Sequence, residues 1–480
     1  MTLAPIVLPL VMAVVVFLTP SKRWRPRILA ATAAVHFALT VAVVRRPSGG
    51  AGGADAGWLT LDAPGRLLLA LLSALFLACA VYSVGYLRYR VERANRRFCA
   101  CMLVALGTTS LVAHAQHLGL IWIGLEATTL AIAPLLYFNR TARSIEATWK
   151  YLVISSVGIA LALLGSFFVG YAALLGGGQA SLLFGDLLAH ADSLSRPWLR
   201  AGFALLLVGY GTKMGLAPMH TWKPDAYGEA PGVVGAILAG AMTSCSYLAL
   251  LRLTQVTAAA GEGAWADRLL IGFGLASMAV AAALLLGQRD LKRMLANSSV
   301  EQMGLLAIAG GMGRGATFAA LLHLVNNAFG KGVLFLSAGN LHRAFGGKTT
   351  DEIHGGLRRL PISGGLFLLG LFAMTGSPPF GPFLSQLLIL DSAFADGRWV
   401  VAIAVLALLL VVFAGMGDTT LRALQGRPPG GVRRSSYRDS VATVAPPLAL
   451  MAIVLLFGVH LPAPVRALIQ DAANALEVGR

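Results

Sequence analysis

The stretch "GYGTKMGLAPMHTWKPDAYGEAP" (209–231) decides how the rest of the chain is read. It closes an apolar run, long enough to cross a bilayer, that begins near residue 199. Lys213 lies inside that run and Pro218 follows five residues later. A charged side chain at membrane depth costs roughly 3 kcal/mol or more unless it is paired or wetted. Proline removes a helical hydrogen bond, and unwound backbone at depth survives only against protein or a water-filled cavity. The stretch therefore reads as a broken membrane helix beside a hydrated pocket, with His220 just beyond the break.

The composition extends this reading to the whole molecule. Of 480 residues, 57% are hydrophobic and 12% charged, and the mean hydropathy is +0.74. Soluble domains carry about twice that charge. Apolar runs able to span a hydrocarbon core roughly 30 Å thick recur along the chain. The fold class expected is all-α, a polytopic membrane protein of about 14 transmembrane helices. The spans fall near 3–19, 28–44, 66–87, 98–115, 117–138, 150–175, 199–219, 232–257, 266–287, 298–313, 316–341, 362–395, 399–420 and 441–461. Residues 2–19 lack the features of a cleavable signal and read as the first span.

Loop charge orients these helices. Most of the 38 lysines and arginines lie in loops that follow odd-numbered spans. The positive-inside rule puts those loops in the cytoplasm and both termini outside, in the cell (inner or plasma) membrane. Lys223 and Lys292 count here as loop charges. The net charge of +17 is thus topological, and no nucleic-acid partner is expected. The loops leave no room for a large soluble domain. Residues 45–65 form a Gly-rich outer loop, and 421–440 a basic linker suited to anionic lipid. The four cysteines lie in or beside apolar helices without metal-ligand spacing. No cofactor or metal is expected, and no catalytic centre is evident in the chain.

Several ionisable or polar groups nevertheless fall inside spans. Glu126 sits mid-way along the fifth and Lys213 in the seventh. His323, Asn327 and Lys331 recur every fourth residue, on one face of the eleventh. Gln386 and Asp391 follow "GSPPFGPF" (376–383), which interrupts the twelfth span, and Glu301 opens the tenth. Glu126 and Lys213 alone would suit an ion pair holding two helices. Together, polar groups on several spans suggest a wetted proton track. Two Gly/Pro interruptions five helices apart predict a pair of inverted five-helix repeats, with the seventh and twelfth helices broken. The expected organisation is 1–97 (first helices), 98–257 and 258–420 (the repeats), and 421–480 (basic linker and last transmembrane helix).

At these residues the sequence resembles the antiporter-like proton-translocating subunits of respiratory complex I and of Mrp antiporters. The strings that carry the resemblance are "GLEATTLAIAPLLY" (124–137), "WKYLVISSVGIALALLG" (149–165), the 209–231 stretch, "DLKRMLANSSVEQMG" (290–304) and "HLVNNAFGKGVLFLSAGN" (323–340). Within that group the wording is most similar to hydrogenase-4 component F. The resemblance implies partners in the membrane arm of a hydrogenase or complex I-like redox assembly, in the lipid bilayer, with protons (or sodium) as cargo. It implies that Glu126 pairs with Lys213, that Lys292 and the His323–Lys331 face continue the track, and that Gln386 marks the terminal gate. The sequence departs from the family at Ser244, where relatives carry a lysine or histidine, and at Gln302 and Asn327, where histidines are expected. Gln386 cannot titrate, and Asp391 lies about 140° away around an ideal helix. Uptake chemistry thus reads as intact and exit chemistry as thinned. Alternatives to a proton-translocating subunit are a structural membrane-arm subunit with a degenerate path, an Mrp-type cation/proton antiporter, and an inorganic-carbon uptake subunit.

Overall fold

The computed structural model describes residues 2–46, 57–90, 92–177, 179–426 and 435–479. The Gly-rich centre of the 45–65 loop and the middle of the 421–440 linker lie outside the described residues. Everything else is helix and connection, with only three isolated β-bridges among the described residues.

The chain opens with Ala4–Leu18 (α1), Trp24–Val44 (α2), Ala63–Arg88 (α3) and Arg96–His114 (α4), which pack as a bundle. Asp62 starts α3 by accepting the Gly65 N–H at 2.9 Å. Leu118–Leu136 (α5) and Ala142–Leu175 (α6) follow, α6 opened by a reciprocal Thr141/Ser144 cap. A short surface helix, Phe184–Ala189 (α7), leads to Arg196–Met214 (α8). Close packing of α8 on α6 depends on small residues: a Cβ on Gly209 would lie 2.6 Å from the Gly158 carbonyl oxygen.

Helix α8 stops at Gly215, whose φ of +77° is left-handed. The chain re-forms a helix at Trp222–Glu229 (α9). Gly232–Ile237 (α10) passes through a π-turn into Thr243–Thr257 (α11), and Gly261, at φ +80°, turns the chain into Gly263–Leu285 (α12). Leu291–Gly310 (α13) and Thr317–Phe345 (α14) come next. Helix α14 is buried along its whole apolar window and forms the centre of the second half. Gly356–Arg359 (α15), Pro361–Met374 (α16) and Gly381–Ala395 (α17) carry the second break, followed by Trp399–Leu424 (α18), Val441–Val459 (α19) and Ala463–Glu477 (α20).

Nine helical runs among the described residues are long and apolar enough to cross a membrane, and α1, α16 and α17 are shorter apolar helices. Val7, Val11 and Val14 on α1, Val153, Val157 and Phe167 on α6, and Ile403 and Leu410 on α18 point outward and exposed. A belt of this kind matches hydrocarbon rather than water as the surrounding solvent.

Three expectations need correction. The tenth helix begins at Leu291, not near 298, because Asp290 caps it by accepting the Lys292 and Arg293 N–H groups at 2.9 and 3.1 Å. The last transmembrane helix is not the end of the fold. Helix α20 is amphipathic and buries Ile469, Ala472, Ala473 and Leu476, packing on α3 and α14. Gln255 secures it by donating to the Ala475 and Val478 carbonyls at 2.9 and 3.0 Å. Lastly, Lys223 and Lys292 are not solvated loop charges: both are buried.

Candidate functional site

The break at Gly215 assembles the first cluster. Lys213 occupies the last turn of α8 and is fully buried. Its Nζ lies 3.2 Å from Glu126 Oε2 on α5 and also donates to Thr129 Oγ1, one turn further along α5. Glu126 is less enclosed, with 19% of its side chain exposed, and accepts from Ser156 on α6 at 3.4 Å. The pair is therefore closed on the lysine side and open toward the outer face of the bundle. Beyond the break, His220 is nearly buried and its Nδ1 has no protein partner.

Lys223 lies in the first turn of α9 and is fully buried. Its Nζ donates to Ser299 Oγ on α13 at 3.0 Å. The neighbouring Ser298 accepts from Lys331 Nζ on α14 at 2.7 Å. Two adjacent serines on one helix thus receive buried lysines from two other helices.

The second cluster surrounds Lys331. Glu301 on α13 is fully buried and within electrostatic reach of Lys331. Gln302 Nε2 donates to both Glu301 carboxylate oxygens, at 2.8 and 3.1 Å, and to the Met374 carbonyl beside the second break at 3.2 Å. His323 faces Ser385 Oγ on α17 at 3.0 Å through Nδ1. Its Nε2, both amide atoms of Asn327, Gln302 Oε1 and Gln386 Nε2 are buried without a protein partner. Buried polar atoms in native proteins are almost always satisfied, so this group marks a water-holding interior.

The arginine-rich end of the bundle supplies a mouth. Lys292 donates to the Ala230 carbonyl at 2.9 Å and, with His342, Glu229 and Lys348, lines a cleft of about 240 Å³. Lys348 bridges Glu229 at 2.6 Å and Asp290 at 3.3 Å. Asp225 joins Lys150 at 2.9 Å to Arg293 at 2.8 Å. In the loop after α14, Glu352 accepts the Lys348 and Thr349 N–H groups at 2.9 and 3.1 Å. Burial pushes its carboxyl up, but these donors outweigh that and hold it below the usual range.

Of the residues singled out from sequence, the structure joins Glu126 to Lys213 and puts His323, Asn327 and Lys331 on one buried face. Gln386 is buried across the second break, where a Cβ on Gly376 would lie 2.1 Å from its Oε1. Asp391 is exposed on α17 and does not join the cluster. That corrects its candidacy: the break does not redirect it inward, and the rotation from Gln386 stands. Sequence reasoning missed Lys223 and left Glu301 aside. The Asp290 cap was the available signal for Glu301, since a helix starting at Leu291 places it three turns deep.

Comparison with known proteins agrees with this architecture. The NADH:quinone oxidoreductase/Mrp antiporter transmembrane family matches residues 115–411. A hydrogenase-4 component F homolog of Methylacidiphilum infernorum is 32% identical, covering 80% of this chain and 81% of that one. An NADH-quinone oxidoreductase subunit N of Desulforudis audaxviator is 31% identical, covering 83% and 81%. A chain of the Mrp complex from Dietzia superposes with a TM-score of 0.85 at 19% identity, over 99% of this chain and 97% of that chain. The shared fold, the broken helices and the matched sequence make this chain an all-helical membrane protein of the NADH:quinone oxidoreductase/Mrp antiporter family.

Proposed function

We propose that this chain is the proton-translocating, energy-coupling membrane subunit of a hydrogenase-type or complex I-like redox assembly. The observation that supports it best is the run of ionisable groups enclosed in the bundle, from Glu126 and Lys213 to Lys331 and Glu301. Enclosed charge of this kind has no packing advantage over apolar residues of similar volume, and its retention points to function. The helix plan is read as 14 spans in two inverted repeats, 98–257 and 258–420, each with one broken helix. The arginine-rich end faces the cytoplasm and both termini face outward, in the cell membrane.

In this reading protons enter at the Lys292 cleft. The Glu126–Lys213 pair acts as the switch. While it is closed, the carboxylate holds the proton on Lys213. When a neighbouring redox subunit draws Glu126 toward the outer face, Lys213 loses its counter-charge and passes its proton inward. Lys331 receives charge on the far side, with His323, Asn327 and water beyond it. Glu301 supplies the titratable carboxylate beside the second break that the Gln386 amide lacks. The second reading, a structural arm with a degenerate path, is favoured by Asn327 and Gln386 alone.

The test is redox-driven proton uptake by the tagged, intact complex in sealed vesicles. Glu126→Gln keeps the side chain's shape and its bond to Ser156, removes the counter-charge, and is expected to abolish the uptake due to this subunit. Normal uptake in that variant selects the structural reading.

A further inference from the structure

We propose that Lys223 is a proton-carrying station between the Lys213 and Lys331 clusters, presented by α9, the helix that restarts after the Gly215 break. The proposal rests on the proton-translocating reading above and adds a residue to its path.

Several buried or half-buried cations have an acid. Lys213 has Glu126, Lys348 has Glu229 and Asp290, and Arg252 has Asp62 at 2.8 Å. Lys331 lies within electrostatic reach of Glu301, and Lys292 within reach of Asp290 and Glu229, although neither makes an ion pair within 4.0 Å among the described residues. The charge acting on Lys223 is instead the like charge of Lys331. Lys223 is fully buried with no carboxylate within 4.0 Å among the described residues. The acids of its own helix are engaged elsewhere, Asp225 with Lys150 and Arg293, and Glu229 with Lys348. A lysine retained for packing alone would be better replaced by a leucine or methionine, and one retained as a fixed cation would bring a counter-ion. Neither condition holds.

The fold is nevertheless built around it. The stem runs across Gly215, where a Cβ would lie 2.3 Å from Lys223 Cε and 2.9 Å from Nζ. Gly215 is thus required twice, for its left-handed φ and for the bare backbone that the stem crosses. Nζ then sits beside the C-terminal end of α8, where carbonyl dipoles favour positive charge. It also lies 5.8 Å from the Tyr227 ring centroid. These partial charges stabilise the ammonium without pinning it, and Ser299 Oγ at 3.0 Å accepts from either form of the amine. The charged or titratable groups around it are His220 in the break, Tyr227 on α9 and Lys331 on α14. Two of the three can be cationic.

This arrangement suits a transient stop. Neutral Nζ takes a proton from the Lys213 side through bridging water, one N–H bond forming as the donor's bond breaks. The ammonium then gives a proton to Ser299 Oγ, which donates its own through bridging water to Ser298 Oγ, and Ser298 in turn passes one to neutral Lys331. Charge is conserved and no electron moves. Because Lys223 and Lys331 repel each other when both are charged, loading one favours emptying the other.

The test uses the intact complex in sealed vesicles, with assembly checked on native gels and proton uptake per electron as the readout. Lys223→Gln keeps the hydrogen bond to Ser299 without titrating. Lys223→Arg keeps both the bond and the charge but cannot release a proton. Both are expected to assemble and to lower uptake to the level of a Lys213→Met control. Wild-type uptake in either variant, with the control depressed, overturns the role of Lys223 and leaves the wider reading standing. Failure of both variants to assemble assigns Lys223 to packing and also overturns it. A Lys213→Met control with normal uptake overturns the wider reading itself.

Discussion

The two breaks share a backbone design and differ in what they hold. Each pairs a left-handed glycine, Gly215 or Gly376, with a cis X–Pro bond three residues on, at Ala217–Pro218 and Pro378–Pro379. In each, a side chain from the restarted helix crosses the glycine, Lys223 in one case and Gln386 in the other. The first break is surrounded by charge, with Lys213 before it and Lys223 after it. The second is lined by amides and a hydroxyl, Asn326, Ser385 and Gln386. Its nearest buried carboxylate, Glu301, belongs to α13 and reaches it through Gln302. A common backbone device therefore does not fix where titratable groups sit. The break creates the polar space, and neighbouring helices can fill it.

The largest effect is expected from Lys213→Met, which tests the charged side of that comparison. Proton uptake by the intact complex should disappear. Removing one member of a fully buried pair costs about 3–5 kcal/mol. Glu126 is partly exposed and keeps Ser156, so a loss of about 1–2 kcal/mol is expected instead. Thermal unfolding alongside the uptake assay separates the two consequences. Full uptake with reduced stability would mean that the first break holds a structural ion pair only.

Glu301→Gln comes next, because it places the second half's acid on α13. The amide preserves volume and can still bond Gln302, so assembly should be unaffected. Uptake should fall substantially but less completely than in Lys213→Met, since the switch pair remains intact. An unaltered proton-to-electron ratio would remove Glu301 from the path and leave the second break without a titratable group.

The glycines give a smaller, paired effect. Gly215→Ala and Gly376→Ala both force an L side chain into a left-handed conformation, at about 1–2 kcal/mol. Their added Cβ atoms meet Lys223 Cε and Gln386 Oε1 at 2.3 and 2.1 Å. Both should lower the unfolding temperature of the complex, and Gly215→Ala should also depress uptake by displacing Lys223. Equal uptake in the two variants would show that the groups crossing the breaks are interchangeable.

Much of this contrast was legible in the sequence. Hydropathy and loop charge gave the membrane class, and the cost of charge at depth selected Glu126 and Lys213 before any geometry was known. Lys223 was not legible. It stands between Trp222 and Pro224-Asp225 in a polar run, and positive-inside counting treats such a lysine as solvated. Only the packing of α9 between α6 and α13 buries it. Helix α20 escaped because its apolar stripe is too narrow for a hydropathy window to register, and what it packs on is tertiary. Asp391 is the opposite case: its offset of about 140° from Gln386 already points it away from the axis, and it sits exposed on α17.

The smallest effect, and the sharpest test of the contrast, is expected from Gln386→Glu. Sequence alone suggests that a carboxylate here would complete a thinned exit, so the proton-to-electron ratio would rise. The structure argues for a weaker response. Gln386 is buried against Gly376, its Nε2 has no protein partner, and the adjoining Ser385 is already engaged by His323. An added carboxylate would share the second break with Glu301, which reaches it through Gln302, and two acids in one low-dielectric interior do not both ionise readily. One of the two would stay protonated, so the number of working stations would barely change. The expected outcome is a ratio close to that of the unaltered complex. In a Glu301→Gln background the same Gln386→Glu change should restore much of the lost uptake, because the second break then again has a single acid. A marked rise in the Gln386→Glu single variant would mean that Glu301 does not carry protons and that the exit is limited by the amide at the break.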